Sequence, residues 1–123
     1  MNKFTITTIL IIVLAGLSVS AHAFTISAKG YVKSVYMREA SMVVELSITA
    51  TGVDPLCGKT ANSNGSNFFY IQQGNPYYKE LSAIVLTALS STPRKELHFL
   101  AVTCHTDPRS NQEHNIVRDG GIF

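Results

Sequence analysis

Residues 1–23 form a segment that the working protein is expected to lose, so only the rest of the chain has to fold into a domain. Lys3 precedes an apolar run over residues 6–19, and the segment ends with small residues at Ala21 and Ala23. This pattern is typical of a secretory signal peptide. The alternative is a transmembrane anchor, since the apolar run approaches the ~20 residues that span a bilayer. Thr, Gly and Ser residues interrupt the apolar run, and no basic cluster follows it. These features favour cleavage after Ala23 over a membrane anchor.

Cleavage leaves residues 24–123 as a single domain of a secreted or periplasmic protein. The whole chain has ten lysines and arginines against eight acidic residues, a formal net charge of +2. Losing Lys3 lowers this charge by one, and only Arg94 and Lys95 are adjacent among the basic residues. Proteins that bind nucleic acids or anionic membranes cluster their cationic side chains instead. The sequence therefore predicts no nucleic-acid partner and no stable membrane insertion after cleavage.

Two cysteines, Cys57 and Cys104, lie in the exported part of the chain. In an oxidising compartment such a pair usually forms a disulfide, and closing a loop of this length stabilises a fold by roughly 3–4 kcal/mol. The alternative is a metal or redox site that also uses His98, His105 or His114. Structural zinc sites use closely spaced ligand pairs such as C-x₂-C, which this sequence lacks. We therefore expect a Cys57–Cys104 disulfide, with no metal and no cofactor.

Alternating apolar and polar residues predict that the domain begins with two strands joined in a hairpin. Residues 24–37 form a long strand, in which Gly30 marks a bulge or bend where the buried face changes. A polar turn at 38–41 leads to a second strand at 42–51. The inward-facing residues of the second strand are Met42, Val44, Leu46, Ile48 and Ala50. A loop rich in Gly, Asn and Ser follows, and residues 68–72 form a short apolar strand.

One helix is predicted after the third strand, with Asn75 as its N-cap and Pro76 at its first position, and it ends before Pro93. Apolar residues recur at the helical period and form the arc that should face the core. This arc consists of Tyr77, Leu81, Ile84, Val85, Ala88 and Leu89. The opposite face carries no charge after the first turns and consists of Ala83, Leu86, Thr87 and Ser90. Such a face is either a low-charge surface or an oligomer interface.

The remaining part of the chain predicts two further strands. Residues 96–104 are densely apolar, which indicates a strand buried on both sides. Residues 114–118 form a last short strand after a polar loop. The resulting fold is mainly β with one helix, in the order β-β-β-α-β-β. Five strands with one helix between the third and the fourth are the element order of the OB-fold, a five-stranded barrel.

Three stretches of the sequence carry a family resemblance: NPYYKEL at residues 75–81, IVLTAL at residues 84–89 and LHFLAVTC at residues 97–104. They resemble the small exported B subunits of AB5-type bacterial toxins, in the subtilase-cytotoxin and pertussis-like branch. The leader, the domain length, the element order and the disulfide also agree with this family. The resemblance implies a secreted bacterial homopentamer whose helix lines a central pore. It also implies carbohydrate binding to host cell-surface glycans, and a toxin A subunit as partner.

The resemblance assigns no ligand-binding residue in this sequence. Aromatic side chains at Tyr36, Tyr70 and Tyr78 either stack on a sugar or pack within the fold. An asparagine cluster before the third strand either hydrogen-bonds sugar hydroxyls or stabilises turns. This cluster consists of Asn62, Asn64 and Asn67. The ligand-binding residues therefore stay unknown at the level of sequence.

The sequence contains none of the common signatures of hydrolases, metalloproteases or nucleotide-binding enzymes. Asp107 and Glu113 lie near histidines and Ser110, but a catalytic triad is recognised by geometry, and we interpret these residues as a solvated loop. We therefore expect no enzymatic activity. The leading hypothesis is a toxin B-subunit-like binding module that recognises host glycans as a homo-oligomer. The alternative is a monomeric periplasmic or secreted OB-fold protein with a structural or stress-related role and no sugar ligand.

Overall fold

The computed structural model describes residues 26–50 and 54–122, so the predicted leader at 1–23 lies outside the described residues. The described part contains five strands and one helix in the predicted order, and is mainly β. The elements are β1 (Ile26–Arg38), β2 (Ser41–Ala50), β3 (Phe68–Gln72), α1 (Tyr78–Ser90), β4 (Leu97–Thr106) and β5 (Glu113–Ile122). Within these described ranges, no helix is long and apolar enough to cross a bilayer.

The five strands form one sheet that closes into a ring in the order β1-β2-β3-β5-β4. The first strand joins the two ends of the sheet, because it pairs antiparallel with β2 and also, over Ile26 to Gly30, with β4. The third and fifth strands pair in parallel. A parallel pair needs a long crossover connection, which here is supplied by α1 and β4.

The sequence predicts a bulge or bend at Gly30, but the irregularity of β1 lies further along the strand. The pairing with β2 shifts register between Val32 and Ser34, and the regular alternation of buried residues ends there. Gly30 has another role, since an added Cβ would stand 1.8 Å from the backbone oxygen of Ser47. Glycine at this position therefore permits close approach of two strands where β1 pairs on both sides.

The main core consists of inward-facing strand residues and the buried face of α1. Its largest fully buried side chains are Phe69, Phe99, Ile26, Leu46, Ile71, Leu81 and Leu97. The helix packs against β1, β3 and β5. A second, smaller cluster contains Val43, Tyr70 and Ile116. Because Met42 and Val44 belong to the main core, the alternation of the strand places Val43 and this second cluster on the outer side of the sheet.

The helix begins two residues later than the sequence predicts, so Asn75 is not its N-cap. The Asn75 Oδ1 accepts a hydrogen bond from the Tyr77 N–H at 2.8 Å, which closes a turn before the helix. The Asn75 Nδ2 donates to the carbonyls of Val117 and Arg118 at 3.0 and 3.1 Å. Asn75 is thus held against β5, and the helix starts only after this tethered turn.

The late start of α1 also changes which tyrosine packs inward. The helical arc predicts Tyr77 in the core, but its side chain is 55% exposed. Tyr78, the first helical residue, packs against the main core instead. The other core positions of the arc are confirmed, with Leu81 and Val85 buried.

The last two strands differ from the sequence-based expectation. The β4 strand alternates between buried and half-buried residues over Leu97 to Val102 and has no buried residue beyond them, so it is buried on one side only. The β5 strand is longer than predicted and continues to Ile122 through two glycines. A Cβ on Gly120 would lie 2.5 Å from the His98 carbonyl oxygen, so the glycine allows close pairing with β4 rather than ending the strand.

The predicted Cys57–Cys104 disulfide is present. It links the loop between β2 and β3 to β4, and therefore ties a long surface loop to the sheet.

Candidate functional site

A large open cleft lies where the β2–β3 loop approaches the loop between β4 and β5. Its volume is about 670 Å³, and most of the residues that line it carry hydroxyl, amide or charged side chains. These polar residues include Lys59, Thr60, Ser63, Asn67, Gln112 and Glu113. Phe68 supplies a half-buried aromatic ring at the same surface, and the buried His114 ring packs against it. Apolar surface with a few convergent polar groups is the usual wall of a ligand pocket, so this cleft is a candidate binding site.

A second cleft of about 430 Å³ adjoins the first. Its wall contains the apolar residues Ile48 and Leu56. Three residues, Lys59, Gly65 and Asn67, line both clefts, so the two clefts adjoin at these residues. We call the two adjoining clefts the cleft pair.

Buried Asn115 fixes the β2–β3 loop that lines both clefts. Its Nδ2 donates to the carbonyl oxygens of Ser66 and Phe68 at 2.8 and 2.9 Å. Its Oδ1 accepts a hydrogen bond from the Cys57 N–H at 3.0 Å. One side chain thus satisfies three backbone groups next to the disulfide, which holds the loop without help from a ligand.

His114 supports the larger cleft from below, between the rings of Phe68 and Tyr70. Its Nδ1 lies 2.5 Å from the Ser66 Oγ, which also accepts a hydrogen bond from the Phe68 N–H at 3.1 Å. The Nε2 faces the Asp107 carboxylate at 4.0 Å. A carboxylate favours the proton on the facing nitrogen, so we assign Nδ1 as the acceptor of the Ser66 hydroxyl proton.

Asp107 is only 1% exposed, so its interpretation as part of a solvated loop is wrong. Its carboxylate accepts a hydrogen bond from the Arg38 Nη1 at 2.5 Å and another from the Arg109 N–H at 2.9 Å. The Tyr70 hydroxyl lies 3.5 Å away. The Arg109 N–H and the nearby cation hold the pKa of Asp107 below its ordinary value, against the opposing effect of burial. The polar loop folds onto the sheet because these partners compensate the buried charge.

Ser66, His114 and Asp107 follow one another as in a hydrolase triad, but their geometry differs. The His114–Asp107 separation of 4.0 Å exceeds a hydrogen bond, and the Ser66 Oγ is occupied by the Phe68 N–H. Ser110, the serine nearest the acid in sequence, hydrogen-bonds Asp107 and not a histidine. These side chains therefore position the cleft loop, and we assign them no nucleophilic role.

Acidification should destabilise the domain through His114. Burial lowers the pKa of His114, the Asp107 carboxylate partly offsets this effect, and Arg38 and His105 add to it. The unfolded chain titrates near the ordinary histidine value of 6.5, so below this pH the native state binds fewer protons. Stability should be complete above about pH 6.5 and decline as the pH falls through the folded pKa. Urea denaturation between about pH 7.5 and about pH 5 measures this slope.

Matched histidine variants identify the source of the pH dependence. His114→Gln removes the titrating group and should flatten the profile in this window. His98→Gln removes an imidazole on β4 outside the Asp107 cluster and is the control for the loss of a histidine as such. An unchanged slope in His114→Gln would contradict the assignment.

The structure separates the tyrosines and asparagines that the sequence offers as ligand contacts. Tyr70 is buried beneath the polar loop, so it cannot stack on a ligand, whereas Tyr36 is exposed. Asn67 lines both clefts and Asn64 lines the smaller one, whereas Asn62 lines neither. Sequence reasoning missed the contribution of the β4–β5 loop to this site. The sequence feature that indicates this contribution is the cysteine pair, because the disulfide ties the β2–β3 loop to the end of β4, next to the β4–β5 loop.

A second surface of interest is the outer helix face, formed by Ala83, Leu86, Thr87 and Ser90. All four residues are exposed, and the Leu86 side chain is 51% exposed. The Thr87 hydroxyl donates to the Ala83 carbonyl, and the Ser90 hydroxyl donates to the Leu86 carbonyl, both at 2.8 Å. Because these hydroxyls already donate to the helix backbone, covering the face removes few hydrogen bonds to water, and its desolvation costs little free energy.

Comparison with models of protein families, with curated proteins and with solved structures finds no match to this chain. In the described part of the chain, no three His, Cys, Asp or Glu side chains form a group that could hold a metal ion. The cleft pair and the outer helix face are the two candidate functional surfaces of the described residues.

Proposed function

We propose that this chain is an exported, non-catalytic binding module with an OB-fold, which recognises host cell-surface glycans as a homo-oligomer. The cleft pair carries the proposal, because its wall is held in place by Asn115 and the disulfide without a ligand. Such preorganisation reduces the entropy that binding must overcome. By analogy with the toxin B subunits that the sequence resembles, the oligomer carries an A subunit.

The strand arrangement supports the OB-fold part of the proposal. The ring order β1-β2-β3-β5-β4, with β1 paired on both sides and the helix between β3 and β4, is the order of a five-stranded Greek-key barrel. In that fold, the face of strands 2 and 3 and the loops between strands 1–2 and 4–5 bind oligosaccharides and oligonucleotides. The cleft pair uses the β4–β5 loop together with the β2–β3 loop, and its mixed charges do not suit a polyanionic chain.

The outer helix face supports assembly into a ring, most simply a pentamer. It offers an apolar side chain at Leu86 and hydroxyls whose hydrogen bonds are already made. An assembled ring also compensates for weak single sites, because several sites that engage together raise the apparent affinity by about 10²–10⁴.

The Leu86→Glu variant tests assembly. A glutamate buried without a partner costs several kcal/mol, so this change should disperse the oligomer. Light scattering at micromolar chain concentration should report a mass near five subunits for the native protein and one subunit for the variant. The conservative Leu86→Met variant should keep the native mass. A monomeric native protein would oppose the proposal and favour a monomeric structural or stress-related role.

Glycan recognition itself is tested by applying the exported protein to a dense array of immobilised host glycans. The native oligomer should bind a defined subset of the array. Absence of binding by a protein of verified oligomeric mass would remove the glycan part of the proposal.

A further inference from the structure

We infer that the cleft pair is one continuous site for an extended glycan of at least two sugar rings, with Asn67 and Lys59 at the junction. This inference rests on the proposed function and assigns it to a place on the molecule. The two clefts share Lys59, Gly65 and Asn67, and each is of the size of a complete small-molecule pocket. A ligand that fills both must therefore be longer than one ring.

The side chain of Asn67 is oriented before a ligand binds. Its Nδ2 donates to the Glu45 Oε2 at 3.2 Å and to the Leu46 carbonyl at 3.3 Å. Glu45 is itself held, because its Oε1 accepts a hydrogen bond from the Ser34 hydroxyl at 3.1 Å. With both amide protons donated inside the fold, Asn67 offers a ligand its Oδ1 as an acceptor.

Lys59 complements Asn67 at the junction. Its ammonium group donates hydrogen bonds and cannot accept them, whereas the Asn67 Oδ1 accepts and cannot donate. A sugar hydroxyl both donates and accepts, so neighbouring hydroxyls of one ring can satisfy both groups together. This pairing favours a polyhydroxyl ligand over one that only accepts hydrogen bonds.

Both clefts combine apolar and polar wall, which suits the two kinds of surface that a sugar ring presents. The smaller cleft has apolar Ile48, Pro55 and Leu56 in its wall and fits the C–H face or an acyl methyl group of a sugar. The larger cleft has hydroxyl and amide groups and fits hydroxyl-rich edges. The half-buried ring of Phe68 adds an aromatic surface to the larger cleft.

The test applies the native protein and four variants to an array that carries mono-, di- and trisaccharides. Asn67→Ala and Lys59→Ala should each lower the signal about tenfold, the loss of one good hydrogen bond per site. Two variants are matched controls and should bind as the native protein does. Asn62→Ala lies in the same loop but outside both clefts, and Lys33→Ala changes an exposed lysine of β1. Ligands of two or more rings should bind, and monosaccharides should give no signal.

The outcomes separate this inference from the proposed function. A native protein that binds no glycan overturns the proposed function, and this inference with it. Native binding that survives both Asn67→Ala and Lys59→Ala overturns only the location. Equal binding of monosaccharides and longer ligands overturns the two-ring requirement. Lys59 is exposed, so its replacement tests the site even if Asn67→Ala fails to fold.

Discussion

Replacing Gly30 with alanine should destabilise the domain by about 3 kcal/mol, at the upper end of the usual range for overpacking. The added Cβ would lie 1.8 Å from the Ser47 carbonyl oxygen and 2.7 Å from the Ser47 carbonyl carbon. Both atoms belong to the backbone, so no rotamer change can relieve the overlap. Relief requires β1 and β2 to separate where β1 also pairs with β4, which breaks the closure of the ring.

Two other glycines serve as matched controls for this substitution. A Cβ on Gly74 or Gly121 meets no atom within 4 Å, and neither residue has a positive φ. Gly74→Ala and Gly121→Ala should therefore change the free energy of unfolding by less than about 0.5 kcal/mol. Urea denaturation compares all three variants with the native protein. If Gly30→Ala is as stable as the controls, β1 and β2 do not approach closely enough at Gly30 and Ser47 to exclude a Cβ, and the prediction is wrong.

Removal of the disulfide should have a comparable effect. The Cys57→Ser/Cys104→Ser double variant loses a cross-link between residues 47 apart, which is expected to cost roughly 3–4 kcal/mol. For a domain of this size the loss corresponds to a fall in melting temperature of roughly 15–25 °C. The cleft pair should also lose its ligand affinity, because Cys57 anchors the loop beside Asn115.

Reduction provides the control for the disulfide prediction. A reductant should lower the melting temperature of the native protein to that of the double variant, and should leave the double variant unchanged. Thiol titration should find no reactive cysteine before reduction and two afterwards. Two free thiols in the native exported protein would contradict the prediction.

Local sequence patterns predict the strands well where one face is buried and the other is not. The bounds of β3 at residues 68–72 agree with the prediction, and the inward residues Met42, Val44 and Leu46 are buried. Binary patterning succeeds here because a closed sheet has one inner face. It fails at β4, whose apolar outer residues resemble a strand that is buried on both sides.

The second cluster on the outer side of the sheet could not be predicted from the sequence. Tyr70 lies beneath the loop containing Asp107, and Val43 belongs to the same buried cluster as Tyr70. The polar composition of that loop predicts solvent exposure. Its burial depends on Arg38, which lies at the far end of β1 and contacts Asp107 only in the folded chain.

The candidate site could also not be predicted from the sequence, because the residues that form it lie far apart along the chain. Lys59 and Asn67 belong to the β2–β3 loop, whereas Gln112 and His114 follow β4. Only the disulfide connects the two regions at the level of sequence. The sequence also does not distinguish the asparagines of the loop. Asn67 lines the clefts and Asn62 does not, only because of where the folded loop places them.

The most direct test of the central claim compares the native oligomer with the Leu86→Glu variant on the same glycan array, at equal chain concentration. We expect the native protein to bind glycan spots of high density, and the dispersed variant to lose about 10²-fold or more of that signal because avidity is lost. Both proteins should give similar weak binding at low glycan density. A blank array for a native protein of verified oligomeric mass, or equal binding by the dispersed variant, would contradict the account.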